Sequence, residues 1–258
     1  MLNIFHAVIL GIIEGFTEFL PISSTAHLIL AADLLKIPQT EYIKSFEIII
    51  QLGAILAVVF LYWRKFLDLE FLKKLIVAFI PTGILGLLFY KIVKNYLLGN
   101  ITVVLWSLAI GGLLLILFEK YFSHPQENED WDVKNISYKQ CLYLGLFQSV
   151  AMIPGVSRSA ATIIGGRAIG IPKRTIVEFS FLLAVPTMAA ATGFDLLKNA
   201  SLFNASQFWS LTIGFLVSFV MAILSIRWLL SYIKKYDFAR FGAYRIALVI
   251  LFLFLLQL

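Results

Sequence analysis

G-I-I-E-G-F-T-E-F-L-P-I-S-S-T-A-H, Gly11 to His27, sets two carboxylates, Glu14 and Glu18, in a segment otherwise as apolar as a membrane helix. Four residues apart, they share one helical face. Pro21 then breaks the helix, and Ser23, Ser24, Thr25 and His27 follow at once. A carboxylate at the bilayer centre costs about 2.5–3.5 kcal/mol on insertion scales, so a pair of them calls for a purpose. The pattern predicts a polar site built inside a membrane.

The rest of the chain fits that setting. Its 258 residues are 60% hydrophobic and 14% charged, with a mean hydropathy of +0.92. Apolar runs of this number and length predict an all-α, polytopic integral membrane protein. The net charge of +6 lies between the apolar runs rather than along one strip, which points to loops at an anionic membrane face and not to nucleic acid. Cys141 is the one cysteine, so no intrachain disulfide or zinc pair is spelled out. Met1 to His6 lacks a basic leader and Glu14 interrupts the apolar run, so no cleavable signal is expected.

In order, a short apolar piece, Leu28 to Leu35, and a polar connector, Lys36 to Lys44, precede spans at Phe46–Trp63, Lys74–Lys91 and Ile101–Phe118. The polar loop Glu119–Lys139 divides the chain. Then Gly145 to Thr162, G-L-F-Q-S-V-A-M-I-P-G-V-S-R-S-A-A-T, answers the opening stretch. Aligning Gln148 with Glu14 sets an offset of 134 (148 − 14) and places Ser157, Arg158 and Ser159 opposite Ser23, Ser24 and Thr25. Further spans at Phe181–Phe194, Phe208–Leu230 and Phe241–Leu258 follow.

One membrane domain over 1–258 is expected, with repeat 1 at about 1–118, a cytoplasmic loop at about 119–138 and repeat 2 at about 139–258. Each half is a Pro-broken re-entrant hairpin plus three transmembrane helices. Three is odd, so the second half enters upside down: an inverted-topology repeat with its site where the repeats meet. The basic residues agree, putting Arg64–Lys74, Glu119–Lys139, Lys173–Arg174 and Lys234–Arg245 inside. The triplets starting at Asn100, Asn135 and Asn204 carry no assignment.

Irregular backbone at membrane depth persists only where protein or a water-filled cavity surrounds it. Ser23 or Ser24 can cap a helix starting near Thr25, and Ser157 one starting near Arg158. Each break then offers free amides and a positive dipole end, which attract an anion. Arg158 adds a planar fork for phosphate oxygens, and Gly155 allows close approach to the backbone. Beside such a site, Glu14 and Glu18 suit either acid–base work or oxygen ligation of Mg²⁺ or Ca²⁺. Ser24 and His27, three apart, permit a nucleophile and a proton acceptor. Cys141 is followed by Phe147 where a Cys-Arg phosphatase loop needs arginine, Ser157-Arg158 lacks the downstream histidine of the histidine-nucleophile lipid phosphatases, and no phosphate-loop motif for ATP is present.

E-G-F-T-E-F-L-P-I-S-S-T-A-H (Glu14–His27) and P-G-V-S-R-S-A-A-T (Pro154–Thr162) closely resemble the two signature motifs of the undecaprenyl-diphosphatase, or bacitracin-resistance, family. F-E-I-I-I-Q-L-G-A-I-L-A-V (Phe46–Val58) and E-F-S-F-L-L-A-V-P (Glu178–Pro186) are similar to it too. Where that family usually has glycine between the Thr and His of the first motif, this chain has Ala26. The resemblance implies a multi-pass enzyme of the bacterial plasma membrane, with a divalent cation and a site opening outward. It would remove the terminal phosphate of undecaprenyl diphosphate and so regenerate the carrier for peptidoglycan precursors. Glu14, Glu18, Ser24, Thr25, His27 and Arg158 match its functional positions, with Ser157, Ser159 and Thr162 as phosphate contacts.

The expectation is therefore catalysis by Glu14, Glu18, Ser24, His27 and Arg158. Ser23, Thr25, Gly155, Ser157, Ser159 and Thr162 would contact substrate, and Glu14 and Glu18 the metal. The rival reading is an ion-coupled transporter or flippase of a polyprenyl phosphate lipid, since broken-helix repeats and intramembrane glutamates serve carriers too. The sequence leaves a homodimer open.

Overall fold

The computed structural model describes residues 2–38, 40–97, 100–121, 131–199 and 207–255, and the triplet at Asn204 and residues 122–130 of the 119–138 loop lie outside them. Ten α-helices are described: α1 Ile4–Thr17, α2 Ser24–Leu34, α3 Glu41–Tyr62, α4 Leu69–Ile92, α5 Ile101–Tyr121, α6 Tyr138–Ser149, α7 Arg158–Ala168, α8 Lys173–Asn199, α9 Phe208–Tyr232 and α10 Ala239–Leu255. Their starts follow local chemistry. Asn3, Thr40 and Asp68 each cap a helix with a side-chain oxygen, and Ser137 does so in a capping box with Gln140.

Five of the described helices are long and apolar enough to cross a membrane by length and composition. They are α3 with its continuation to Leu67, α4, α5, α8 up to Phe194, and α9. Their outward faces carry bare apolar side chains such as Leu87 and Leu88, as in a multi-pass membrane protein. The sixth expected span is α10, described for 17 residues; residues 256–258 lie outside the description. Helices also reach further than the apolar runs: α3 takes up Glu41 to Lys44 from the expected connector, and α8 begins ahead of Glu178. Pro81 and Pro186 are accommodated inside α4 and α8.

Two short hairpins, α1–α2 and α6–α7, occur at the sequence breaks. After α1, the chain turns through Glu18 to Ile22, and α2 starts at Ser24. After α6, it turns through Val150 to Val156, and α7 starts at Arg158. α2 and α7 begin 134 residues apart (158 − 24), and each has 11 residues. Both are N-capped by a serine of positive φ, 70° at Ser23 and 77° at Ser157. The neighbours correspond as well. α1 packs on α9 and α6 on α4; α3 meets α8, and α5 meets α10. Gly11 and Gly145, also 134 apart (145 − 11), both sit where a Cβ would collide, the first 2.7 Å from the Gly214 carbonyl and the second 2.8 Å from Pro81.

Three apolar clusters fill the interior. The largest surrounds the first turn, joining Phe19, Leu20 and Ile22 to Phe179, Phe181 and Leu182 of α8. Phe19 meets Phe181 edge-on, with centroids 5.3 Å apart. At one end of the helices, Lys65 pairs with Asp132 at 2.7 Å and Lys134 with Asp68 at 2.5 Å, pinning the segment before α6 to the α3–α4 turn.

Arg245 corrects the sequence reading. Grouped there with the basic residues of an inside loop, it lies within α10 with no exposed surface. The loop before α10 keeps Lys234 and Lys235, and Arg240 stands at the start of the helix. An arginine in an apolar helix belongs inside when enough carbonyls meet it, and here they do.

Candidate active site

The two turns meet tip to tip. Ser159 Oγ donates to the Phe19 carbonyl at 2.9 Å, and Ser157 Oγ to the Leu20 carbonyl at 3.5 Å. Behind them, Arg245 donates to both turns, to the Pro21 carbonyl at 3.4 Å, Val156 at 3.0 Å and Gly155 at 2.8 Å. Its remaining bonds go to Ser107 and Leu108 of α5. One planar guanidinium thus fixes two turns against a third helix. The sequence carried one signal for it: a charge in the last apolar run.

Where the turns meet, a cavity of about 80 Å³ is lined by Glu18, Ser23, Ser24, Thr25, Gly155, Ser157 and Arg158, with Ala151, Pro154 and Met188 at its wall. Glu18 is its hub. Its Oε2 accepts from Ser24 Oγ at 2.5 Å, and its Oε1 pairs with Arg158 Nη2 at 3.0 Å. Arg158 Nη1 donates to the Ser180 carbonyl at 2.7 Å, while Nε is buried with no partner. Glu18 and Arg158 are both buried, so each supplies the opposite charge that makes the other tolerable. Ser23 and Ser157 accept from Ala26 and Ala160 amides as caps, leaving the first amides of α2 and α7 without intrahelical acceptors beside the cavity.

Glu14 lies one turn before Glu18, fully buried. Neither of its oxygens meets a hydrogen-bond donor, and the charges around it are Glu18, Glu47 and Arg158. By donor type these two carboxylates suit a hard divalent cation, although Glu14 is absent from the cavity's lining and both Glu18 oxygens are already engaged. No group of three acidic, histidine or cysteine side chains with metal-holding geometry occurs among the described residues, so phosphate or water oxygens would complete such a site.

Of the other expected residues, Ser23, Thr25, Gly155 and Ser157 line the cavity, whereas Ser159 and Thr162 do not. Thr162 Oγ1 donates within its helix or meets Ser180 Oγ at 2.7 Å, and Ser159 ties the turns together. Gly155 has a packing role as well. Its φ of +94° and a built Cβ 2.6 Å from the Val104 carbonyl show the residue serving the turn's packing against α5. His27 is not brought to Ser24. Its Nδ1 bonds the Ser23 carbonyl and its Nε2 the Tyr244 hydroxyl, both at 2.8 Å. It faces a second, apolar cavity of about 330 Å³ between α1, α2 and α10. As the first residue of α2, Ser24 reaches back across the turn to Glu18.

A hydroxyl on a buried carboxylate, an arginine and two helix starts surround a small polar cavity, a set of donors whose chemistry suits a phosphoryl-type anion. The chain belongs to the family described as bacitracin resistance protein BacA, whose model matches residues 7–251. It is 54% identical over 250 residues to an undecaprenyl-diphosphatase of Sulfurihydrogenibium sp. (strain YO3AOP1), covering 96% of this chain and 97% of that one. It is 50% identical over 245 residues to one of Aquifex aeolicus, covering 93% and 94%. With one of Wolinella succinogenes it shares 48% over 258 residues, covering both chains in full.

Proposed function

We propose that this chain is an undecaprenyl-diphosphate phosphatase: it hydrolyses the terminal phosphoanhydride of undecaprenyl diphosphate to give undecaprenyl phosphate and inorganic phosphate. The reaction recycles the lipid carrier of peptidoglycan synthesis, and regenerating the carrier confers bacitracin resistance. The observation that carries the reading is the Ser24–Glu18–Arg158 chain at the wall of the cavity between the two turns.

In this reading the terminal phosphoryl group enters the cavity and the prenyl tail lies along apolar helix faces in the membrane. Ser24 Oγ attacks phosphorus while its proton passes to Glu18 Oε2, and undecaprenyl phosphate leaves. Water then attacks the phosphoseryl group; the proton held by Glu18 returns to Ser24 Oγ as it leaves, restoring hydroxyl and carboxylate, and the water's proton departs with the inorganic phosphate. Arg158, the amides at the starts of α2 and α7, and the hydroxyls of Ser23, Thr25 and Ser157 stabilise the equatorial oxygens. Glu14 and Glu18 would hold a Mg²⁺ or Ca²⁺ ion, Glu14 through its two unengaged oxygens. When bound, that ion supplies neutralising charge at the phosphoryl oxygens.

The matched helix starts, serine caps and helix partners support an inverted repeat of two re-entrant hairpins, each followed by three spans. Lys65, Lys134, Lys173 and Arg174 on one side favour a cytoplasmic loop there. Repeat 1 at about 1–118 and repeat 2 at about 139–258 then flank it, and the site opens to the outer face of a bacterial plasma membrane. A homodimer is part of the proposal, and its test is the mass of the protein–detergent complex.

The deciding experiment measures phosphate release from a polyprenyl diphosphate by protein in detergent, with and without EDTA, for wild type, Glu18→Gln and Arg158→Ala. Metal-dependent release lost in both variants is expected. A folded wild type that releases none overturns the phosphatase reading in favour of a carrier.

A further inference from the structure

His27 stands beside the Ser24 turn but outside the phosphate cavity, and its contacts define what it does there. A carbonyl only accepts, so the 2.8 Å bond to Ser23 requires a proton on Nδ1. Nε2 then carries the lone pair, and the Tyr244 hydroxyl 2.8 Å away is its donor. The two rings lie within 3° of parallel, with centroids 5.6 Å apart. The Ser23 carbonyl therefore sets the tautomer of His27 on α2, and Tyr244, on α10, supports it by donating to Nε2.

That tautomer matters at Ser23. Its φ of 70° is a conformation that non-glycine residues adopt only when their surroundings hold them. The Ser23 carbonyl accepts from the His27 amide at 3.2 Å as well as from its ring. The corresponding turn shows what is extra. Ser157 has the same unusual φ, its carbonyl accepts from the Ala161 amide at 3.0 Å, and Ala161 offers no side-chain donor. The backbone conformation by itself thus does without a ring clamp. The turn that has one is the turn whose next residue, Ser24, presents a short hydroxyl to Glu18 at 2.5 Å, whereas Arg158 after Ser157 reaches Glu18 with the far end of a long side chain.

We propose that Tyr244 is a positioning residue of the reaction. Through His27 it locks the Ser23 carbonyl, and with it the direction of Ser24 Oγ, from a point outside the phosphate cavity. The inference rests on the reading of Ser24 as nucleophile. It makes His27 a clamp that keeps its proton on Nδ1 throughout, in place of the proton acceptor expected from the Ser24–His27 spacing.

The test combines rates with the ring signals of ¹⁵N-histidine-labelled protein in detergent. Tyr244→Phe, which keeps the ring, should lower kcat roughly tenfold with little change in KM, the scale of one lost hydrogen bond. Its His27 signals should move from the Nδ1–H tautomer towards a mixture. His27→Asn, whose amide can replace the Nδ1 donor, should keep at least about ten times the kcat of His27→Gln, whose amide replaces Nε2. Tyr244→Phe with wild-type kcat overturns the role of Tyr244 and leaves the phosphatase intact. His27→Asn no better than His27→Gln overturns the clamp, since a proton shuttle is lost equally in both. A wild type that releases no phosphate overturns this inference together with the reading it rests on.

Discussion

Replacing Arg245 by methionine keeps much of the side-chain volume and removes the donors shared by both turns. Its five hydrogen bonds end on Pro21, Ser107, Leu108, Gly155 and Val156. Ser107 and Leu108 lie within α5, where helix amides already reach their carbonyls. Pro21, Gly155 and Val156 lie in turns, and methionine leaves those three carbonyls short of a donor. At about 1–3 kcal/mol for each buried group left unsatisfied, the gross loss is roughly 3–9 kcal/mol. Relief from burying a guanidinium offsets several kcal/mol of this, leaving a net destabilisation of about 2–4 kcal/mol. For a chain of this size that is a fall in Tm on the order of 10 °C. Cys141 is fully buried, so a thiol-reactive fluorophore reports unfolding in detergent without further labelling. Arg245→Lys should fall between, because one ammonium cannot reach both turns in the plane of the fork. Phosphate release should collapse below the melting transition in Arg245→Met. A variant melting within 1–2 °C of wild type (about 0.5 kcal/mol) with normal turnover would refute the assignment of Arg245 as the tie between the turns.

Three further outcomes follow from the same geometry. Ser24→Ala should lower kcat at least about 10²-fold, with a fall in Tm of only a few degrees, because Glu18 keeps its pairing with Arg158; near-normal turnover would remove Ser24 as the nucleophile. Gly155→Ala should reduce both Tm and turnover, since a Cβ would meet the Val104 carbonyl at 2.6 Å in a backbone of φ +94°; wild-type melting would show that the turn yields easily. Outside the spans, the hydrogen bond from Lys134 holds the half-buried Asp68 carboxyl below its usual 3.8. Its contribution is present above that value and lost as pH falls through the lowered one, so Asp68→Asn should flatten the acid limb of a Tm–pH curve only below about pH 4.

Sequence was most informative where local chemistry decides. Pro21, the serine caps and the 134-residue offset located both turns, the start of α7 at Arg158 and that of α2 to within one residue (Ser24, against the expected Thr25), because caps and breaks act over a few residues. Glu18 and Arg158 were identified separately by the cost of burying each, though nothing in the sequence says that they pair across 140 positions. Spacing did not foretell the ring contacts of His27, which go to the Ser23 carbonyl and Tyr244. Residues three apart do share a helix face, but at the first position of α2 the Ser24 side chain reaches back over the turn to Glu18. Arg245 was grouped with loop charges because its carbonyl partners come from three distant segments that no local pattern reveals.

The contact between Arg245 and Pro21 joins positions 224 residues apart, and it bears on how the enzyme is made. A ribosome working at about 5–20 residues per second delivers Arg158 on the order of ten seconds after Glu18. Arg245 follows several seconds later. Throughout that interval the carboxylates of the first hairpin lack their counter-charge, and its turn lacks the tie that holds it. No stalled or truncated chain ending before α10 can therefore display a competent site. The enzyme matures only when its last helix has been inserted.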